Sequence, residues 1–258
     1  MKVKEILSYL ENKFPYDLAA DFDYNKIGLT IGDLNQEVTK VLFALDLTLE
    51  VIDEAIDKKC NLIVCHHPFT FAPITKVLVN DEKGSLIYKM IKNDMSLIAM
   101  HTNMDLGYGG VADTLCEMMF LENSNYGVAL KGEYARFGTI SETTLKDLSD
   151  KIKTTFNLDG IKVVGDLSKK ITKVGILGGS GGHESDIIDA VKNNCDCYIT
   201  GEIKHHIALM AKYYNLTLIE VNHGIEKFVF DKLSINLKED LNIETFVSEI
   251  DSNLFQFL

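Results

Sequence analysis

Two adjacent histidines end a short apolar segment of the sequence. His66 and His67 directly follow the apolar residues 62–65, and Pro68 comes next. The proline favours an extended backbone at His67, which predicts that the pair is held in place at the end of a strand. Imidazole and carboxylate ligands suit Zn, Fe, Mn, Co or Ni, and the sequence does not select among these metals. The pair therefore predicts metal chemistry at this strand end.

Two further apolar segments end in possible metal ligands. Residues 97–100 run into His101 and Asp105, and residues 216–219 lead to His223 and Glu226. Three predicted strands that each end in His, Asp or Glu favour one metal cleft that is built from the whole chain.

The arrangement of these residues favours two ions over one. Adjacent side chains at a strand end point in different directions, so that His66 and His67 are expected to bind different ions. A pair of ions roughly 3.5–4 Å apart can generate a nucleophile near neutral pH. Asp105 and Glu226 are the carboxylates placed to complete such a site, and Glu226 shares one face of a helical turn with His223.

Strand and helix patterns alternate along the chain. Strands are predicted at residues 41–45, 61–65 and 96–100, and helices at 49–58, 85–92 and 110–120. The second half repeats this plan with strands at 173–177 and 197–200 and a helix at 184–193. Residues 59–65 align with 194–200 at an offset of 135, and residues 97–103 align with 218–224 at an offset of 121. The second alignment places Asp105 opposite Glu226.

These patterns predict an α/β protein with two similar α/β lobes, mostly parallel sheets and a metal cleft between them. The first lobe is expected to span 1–128 and to carry the HHP and HTNxD motifs. The second is expected to span 129–258 and to carry the GGSGG, TGEIKHH and HGIE motifs. The boundary is placed within 123–132, where Asn, Ser and Gly interrupt the helical pattern. A last strand is predicted at 243–250, with a return of this C-terminal segment to the first lobe as an alternative.

Composition limits the classes of function. The 258 residues carry a formal net charge of −12, which disfavours a large nucleic-acid interface. No apolar stretch reaches the length needed to cross a bilayer, and the charged N-terminal segment is typical of an amphipathic helix, so a cytoplasmic protein without membrane contact is expected. The five cysteines include no CxxC pair, which disfavours a thiolate zinc site.

Several motifs, taken together and in order, resemble the NIF-three-like dinuclear metal centre hexameric proteins, which are catalogued as GTP cyclohydrolase I type 2 homologues. The resemblance covers nearly the whole chain. It is carried by residues 25–33, His66-His67-Pro68, residues 101–105, 178–181 and 200–206, and the late pair His223 and Glu226.

The resemblance implies a set of ligands for two divalent metal ions: His66, His67, Asp105, His223 and Glu226. It implies that the glutamate bridges, that His67 and Asp105 bind one ion, and that His66 and His223 bind the other. It further implies a homohexamer. The last motif is one residue shorter here than is usual in the family. Either Gly224 absorbs the deletion, or Asn222 takes the position of the histidine.

Two more histidines are candidates for proton transfer. His101 lies in the HTNxD motif, and His206 lies in the segment that resembles the family's cleft-facing residues. The alternatives are a hydrogen-bonding role beside the metals for His101 and a solvated helix start for His206. Asp46, at another predicted strand end, either supports the cleft or caps a loop.

The function that these observations favour is a metal-dependent hydrolase that acts on a small nucleotide-like or phosphorylated substrate through a metal-activated water. The resemblance implies GTP cyclohydrolase-like chemistry, in which the guanine ring is opened and formate is released. The alternative is a non-enzymatic metal-binding or regulatory scaffold protein, whose metal site would be fully ligated by protein.

Overall fold

The computed structural model describes residues 1–119, 122–125 and 134–257. The chain forms two compact units, and both are discontinuous. Unit 1 comprises Met1–Tyr108 and Val229–Ser252, and unit 2 comprises Gly109–Phe228 and Asn253–Leu258. These divisions differ from the predicted lobes 1–128 and 129–258, and most of the predicted boundary at 123–132 lies outside the described residues.

Helices and strands alternate through both units. The described α-helices are α1 (Val3–Lys13), α2 (Leu49–Asp57), α3 (Glu82–Lys92), α4 (Thr102–Leu106), α5 (Val111–Met119), α6 (Leu145–Thr155), α7 (Glu184–Lys192), α8 (His205–Tyr213) and α9 (Val229–Leu241). The described strands are β1 (Gly28–Ile31), β2 (Val41–Ala44), β3 (Leu62–Cys65), β4 (Ser96–Ala99), β5 (Glu122–Asn125), β6 (Arg136–Thr144), β7 (Lys162–Val164), β8 (Lys170–Ile176), β9 (Cys197–Thr200), β10 (Thr217–Glu220) and β11 (Thr245–Val247). Short 3₁₀ helices lie at Tyr16–Leu18, Asp21–Asp23 and His223–Phe228.

Unit 1 is built on a five-stranded sheet with the order β1-β4-β3-β2-β11. All of its pairings are parallel except that of β1 with β4. Cys65 pairs with Ala44 on one side and with Ala99 on the other. The carboxyl ends of β2, β3 and β4 are therefore level, and the residues that follow them leave the sheet at one edge.

Unit 2 is built on a six-stranded sheet with the order β5-β6-β8-β9-β10-β7. Its centre, β8-β9-β10, is parallel, and β6, β5 and β7 add antiparallel strands on the two sides. Over the described strands of both units, five of nine pairings are parallel. The prediction of an α/β protein with mostly parallel sheets is confirmed.

The same topology occurs in each unit. The order α1-β1-β2-α2-β3-α3-β4 along the chain is matched by α6-β7-β8-α7-β9-α8-β10, and the sheet orders β1-β4-β3-β2 and β7-β10-β9-β8 correspond. The offset of 135 found in the sequence superimposes β3 on β9, and the offset of 121 superimposes β4 on β10. The weak sequence repeat thus reflects a repeated arrangement of strands and helices.

Hydrophobic patterning explains these elements. All four residues of each of β2, β3 and β4 are buried, as expected for parallel strands that are covered on both faces. Helix α2 buries Val51, Ile52 and Ala55 at helical spacing, and Thr48 caps its start by accepting a hydrogen bond from the Val51 N–H at 3.2 Å. Every described helix is too short or too polar to cross a bilayer.

Candidate metal centre

His66 follows β3 and is completely buried. Its Nδ1 lies 2.9 Å from the carbonyl oxygen of Met100, the residue that follows β4. Because a carbonyl oxygen only accepts, Nδ1 must carry the proton, and Nε2 is the nitrogen with which this ring can bind a metal. That Nε2 lies 3.4 Å from Oδ1 of Asp105, the buried carboxylate in α4.

His67 is oriented by a carboxylate. Its Nδ1 lies 2.7 Å from Oδ1 of Asp46, which follows the neighbouring strand β2. An imidazole whose Nδ1–H donates to a carboxylate presents Nε2 in a defined direction and is a more basic ligand. The position of Asp46 therefore corresponds to the supporting role that was one of its two predicted alternatives.

His101 is held by a second carboxylate, that of Asp23. The His101 Nδ1 lies 2.9 Å from both carboxylate oxygens of Asp23, which is fully buried. Thr102 also donates to this carboxylate through its N–H, at 3.2 Å, and through its hydroxyl. Burial by itself raises the pKa of Asp23, but the hydrogen bonds from His101 and Thr102 outweigh it and hold the pKa below its usual range. The Asp23 carboxylate is therefore ionised at neutral pH.

The three imidazoles form one cluster in unit 1. One ligand atom from each of His66, His67 and His101 lies within 4.8 Å of the other two, and the ring centroids are 4.9–5.6 Å apart. His66 and His67 thus approach each other more closely than their opposite orientations along a strand suggest. Each Nδ1 has an acceptor, so that the three Nε2 atoms are the nitrogens that can bind a metal ion or a proton. Imidazoles with anchored tautomers fit the coordination preferences of Zn, Fe, Co or Ni.

Unit 2 contributes a histidine and a buried glutamate. His223 and Glu226 lie in the 3₁₀ helix after β10, with 3.1 Å between His223 Nε2 and Glu226 Oε2. The His223 Nδ1 lies 2.6 Å from Oε1 of Glu202, which follows β9. Burial by itself raises the pKa of Glu202. The hydrogen bonds with His223 and Ser180 outweigh this effect and hold the pKa below its usual range. His223 is therefore oriented as His67 is, by a carboxylate that follows the neighbouring strand.

The glycine-rich loop after β8 closes on Glu226. A Cβ atom at Gly179 would lie 2.3 Å from Glu226 Oε1, and one at Gly178 would lie 2.8 Å from Glu226 Cγ. Gly179 also has φ +61°, in the left-handed region that favours glycine. Close approach of the backbone to this carboxylate explains the two glycines.

Of the two alternatives for the shortened motif, the geometry favours His223 as the ligand. The Asn222 side chain accepts a hydrogen bond from the Gly224 N–H at 2.7 Å and donates to Asn253 Oδ1. The Asn222 side chain thus stabilises the local turn and binds the C-terminal segment. His223 is the side chain that lies beside Glu226.

His206 is placed differently from the other predicted residues. It is the second residue of α8, and it is exposed. Within the described part of the chain it belongs to none of the groups of three or more possible metal ligands. Its role in proton transfer stays a prediction.

Sequence reasoning did not find Asp23 as the partner of His101, nor Glu202 as the partner of His223. Asp23 is 78 residues from His101, and Glu202 is 21 residues from His223. The available signals were local: Asp23 stands just before the motif at 25–33, and Glu202 stands directly after β9. Neither position alone indicates which histidine it meets.

Comparison with known proteins supports one relationship over the whole chain. A family model described as Duf34/NIF3 (NGG1p interacting factor 3) matches residues 1–254. A curated relative from Clostridium acetobutylicum, named GTP cyclohydrolase 1 type 2 homolog, is 33% identical over an alignment of 231 residues that covers 86% of this chain and 84% of the relative. A relative of the same name from Clostridium perfringens is 32% identical over 269 residues, and the alignment covers 100% of this chain and 100% of the relative.

Solved structures agree with these matches. The Staphylococcus aureus hypothetical protein SA1388 has a TM-score of 0.92 at 32% identity and covers 100% of this chain and 99% of its own. A Bacillus cereus protein related to NIF3 has a TM-score of 0.92 at 26% identity with the same coverage. Reduced HcgD from Methanocaldococcus jannaschii has a TM-score of 0.82 at 28% identity, covering 97% of this chain and 98% of its own. The sequence match along almost the entire length and the shared fold show that the chain belongs to the Duf34/NIF3 family.

Proposed function

We propose that this protein is a metal-dependent hydrolase for a small nucleotide-like or phosphorylated substrate. In this proposal five residues hold two divalent ions: His66, His67, Asp105, His223 and Glu226. The observation that carries it is the histidine cluster of unit 1, in which three rings converge and each Nδ1 is already bound to an acceptor. The name GTP cyclohydrolase 1 type 2 homolog, which the relatives bear, supports the hydrolase class.

Buried acidic groups further support metal binding. Asp105 and Glu226 are 9% and 4% exposed, and each lies beside the Nε2 of a histidine. Burial of a carboxylate is costly unless a cation or several hydrogen-bond donors compensate its charge. Divalent ions would supply that compensation in both units.

The chain's own residues would position the ions and move protons. When bound, such ions act as Lewis acids that polarise the substrate and make water a better nucleophile. Asp46 and Glu202 hold the ligand histidines in one tautomer. His101 can accept a proton at Nε2, because its Nδ1 is held by the Asp23 carboxylate and Nε2 is the nitrogen left for proton transfer. His206 is the second candidate proton carrier in this proposal.

The resemblance also supports a homohexamer, and the pattern of apolar and charged residues favours a cytoplasmic protein; we include both in the proposal. Size-exclusion chromatography with light scattering measures the assembly independently of metal content.

Metal analysis of protein purified without added metal tests the ligand set. Two ions per chain are expected for the wild type, and about one or fewer for His66→Ala and for His223→Ala. His205→Ala is the matched control, because this histidine is exposed at the start of α8. Wild-type protein that retains no stoichiometric metal after purification and does not bind added Zn, Fe, Mn, Co or Ni would contradict the metal site.

A hydrolysis screen of metal-loaded protein tests the reaction class. GTP, other nucleotides and phosphoesters are the substrates to compare, with His101→Gln as the proton-transfer variant. Turnover that falls by roughly 10²-fold or more in His101→Gln, at unchanged metal content, is the expected result. Stoichiometric metal without turnover of any substrate would instead support a metal-binding scaffold.

A further inference from the structure

Two exposed phenylalanines stand beside the histidine cluster of unit 1. Phe22 lies in the 3₁₀ helix Asp21–Asp23 and is 57% exposed; Phe71, in the loop between β3 and α3, is 53% exposed. Their ring centroids lie 6.3 and 5.6 Å from that of His101, both in edge-on orientation. Both phenylalanines therefore lie next to the histidine cluster on the side of His101.

One ammonium group lies against both rings. Lys26 Nζ lies 5.7 Å from the Phe22 ring centroid and 5.5 Å from that of Phe71, which is within the range of cation–π attraction. Across residues 1–119, 122–125 and 134–257, Lys26 forms no ion pair with a carboxylate. In a protein of net charge −12, this lysine is a local positive charge at the edge of a site that is otherwise rich in acids.

The backbone beside each of the two rings is held by neighbouring residues. Phe22 precedes Asp23, which is fully buried and bound to His101 and Thr102. Phe71 is the middle residue of a turn in which the Thr70 hydroxyl donates to the carbonyl of Ala72 at 2.7 Å. Both backbones are thus held locally while more than half of each phenylalanine remains exposed, which is typical of a binding surface and not of a core.

We propose that Phe22, Phe71 and Lys26 form an aromatic subsite that binds a planar aromatic ring carrying a phosphate or carboxylate. The rings supply stacking faces that accept any planar ring, and Lys26 supplies the partner for the anionic group. The role of this subsite in catalysis rests on the proposed function, because the subsite would hold the ring of the substrate beside the histidine cluster. Binding itself is measured without turnover.

Isothermal titration calorimetry on the full-length, metal-loaded protein tests the subsite. The probes are AMP, GMP and nicotinate; adenosine supplies a ring without the anion, and ribose 5-phosphate supplies the anion without a ring. At least one aromatic anion is expected to bind about tenfold more tightly than both adenosine and ribose 5-phosphate. If none of the three does so, the inference is overturned.

Variants then assign the binding to the three residues. Phe22→Leu and Phe71→Leu keep apolar volume but remove the ring, and each is expected to weaken binding of the best probe by roughly fivefold or more. Phe255→Leu is the matched control, since Phe255 is 74% exposed in the C-terminal segment of unit 2. Lys26→Gln is expected to weaken binding roughly tenfold, less so at high salt, and Lys26→Arg to restore it.

Metal content separates this inference from the proposed function. All subsite variants are expected to retain the metal content and melting temperature of the wild type. If the wild type holds its metal but does not bind aromatic anions selectively, the subsite is contradicted and the metal centre is not. If the wild type holds no metal, the metal centre is contradicted, and the calorimetric result alone decides on the subsite. Variants that lose metal or melt early would show a structural role for these residues and would also overturn the inference.

Discussion

Four histidines that follow strands, three in unit 1 and one in unit 2, share one feature at the residue scale. His66, His67, His101 and His223 each have an oxygen acceptor at Nδ1, and three of these acceptors are carboxylates. An acceptor at Nδ1 selects the tautomer that leaves Nε2 as the metal-binding nitrogen, and it fixes the plane of the ring. Each acceptor follows another strand or lies in another segment than the histidine it holds, so that the edge of the sheet in each unit sets the orientation of these rings.

Removing one acceptor is therefore expected to weaken metal binding without removing a ligand. In Asp46→Ala, the His67 ring loses its carboxylate and samples other orientations, and metal affinity is expected to fall about 10–100-fold. Competition with a fluorescent chelator measures this affinity. Asp57→Ala, at the exposed end of α2, is the matched control. Equal affinities for the two variants would show that Asp46 does not orient the ligand.

The glycine beside Glu226 gives a second residue-scale prediction. Gly179→Ala places a methyl group 2.3 Å from Glu226 Oε1 at φ +61°, so that the carboxylate or the loop must move. Gly109→Ala is matched to it, because Gly109 has φ +71° with nothing within 4 Å of the added atom. Both variants are expected to lose about 1 kcal/mol to backbone strain. Only Gly179→Ala is expected to lose metal, as measured by elemental analysis. Equal metal content in the two variants would show that the close approach of Gly179 to Glu226 is not needed for metal binding.

At the scale of elements, one glutamate joins helix α2 to the segment that follows β11. Glu54 accepts hydrogen bonds from Lys58 Nζ at 2.7 Å, from the Glu249 N–H at 2.9 Å, and from the Ser248 hydroxyl. Its side chain is 10% exposed. Burial by itself raises the pKa of Glu54. These hydrogen bonds outweigh that effect and hold the pKa below its ordinary value of 4.5. The carboxylate thus ties the C-terminal strand of unit 1 to a helix from the first half of the chain.

The stability from this contact is expected to depend on pH. Because the folded pKa is depressed, the contribution is complete above the ordinary value of 4.5 and is lost as the pH falls through the lower folded value. At pH 7, Glu54→Gln is expected to lower the free energy of unfolding by about 1.5–3 kcal/mol. Urea unfolding at several pH values measures the difference in unfolding free energy from wild type, which should narrow as the pH falls below 4.5. Glu239→Gln, exposed in α9, should match wild type throughout; a pH-independent difference for Glu54→Gln would contradict the assignment.

At the scale of the whole molecule, each unit is completed by a segment from elsewhere in the chain. After the first repeat, α5 enters unit 2 and packs against β6, β8 and α6; after the second repeat, α9 and β11 enter unit 1 and pack against β2. The contacts of Phe230 with Phe43, whose ring centroids are 5.5 Å apart, bury both rings completely. Neither half of the sequence therefore contains all the residues of its own core.

Fragments are expected to reflect this exchange. Residues 1–108 alone leave β2 as an open edge and expose the apolar surface that α9 covers, so the fragment should be aggregation-prone and lack a cooperative unfolding transition. The same fragment joined to 229–252 by a flexible glycine-serine linker should regain that transition. Circular dichroism with thermal and urea unfolding compares the two. Cooperative folding of 1–108 alone would show that the added helix and strand are dispensable.

Much of the secondary structure and part of the site could be read from the sequence. The strand predictions at 41–45, 61–65 and 197–200 agree with β2, β3 and β9 to within one residue at each end. The last strand is shorter than predicted, with β11 covering Thr245–Val247 of the predicted 243–250. The positions of His66, His101 and His223 after apolar strands were visible in the same way, because burial on both faces imposes continuous apolar segments.

Local patterning by itself determined the alternation of strands and helices, the repeat of this alternation, and the placing of imidazoles and carboxylates at strand ends. These are properties of neighbouring residues, which hydrophobic periodicity encodes directly. Only the tertiary structure decided that Asp46, Asp23 and Glu202 hold the histidines, that Gly179 makes room for a carboxylate, and that residues 229–252 complete the first sheet. Such pairings join residues that are 20 to 200 positions apart, and no short-range pattern carries the information on which strand ends become neighbours.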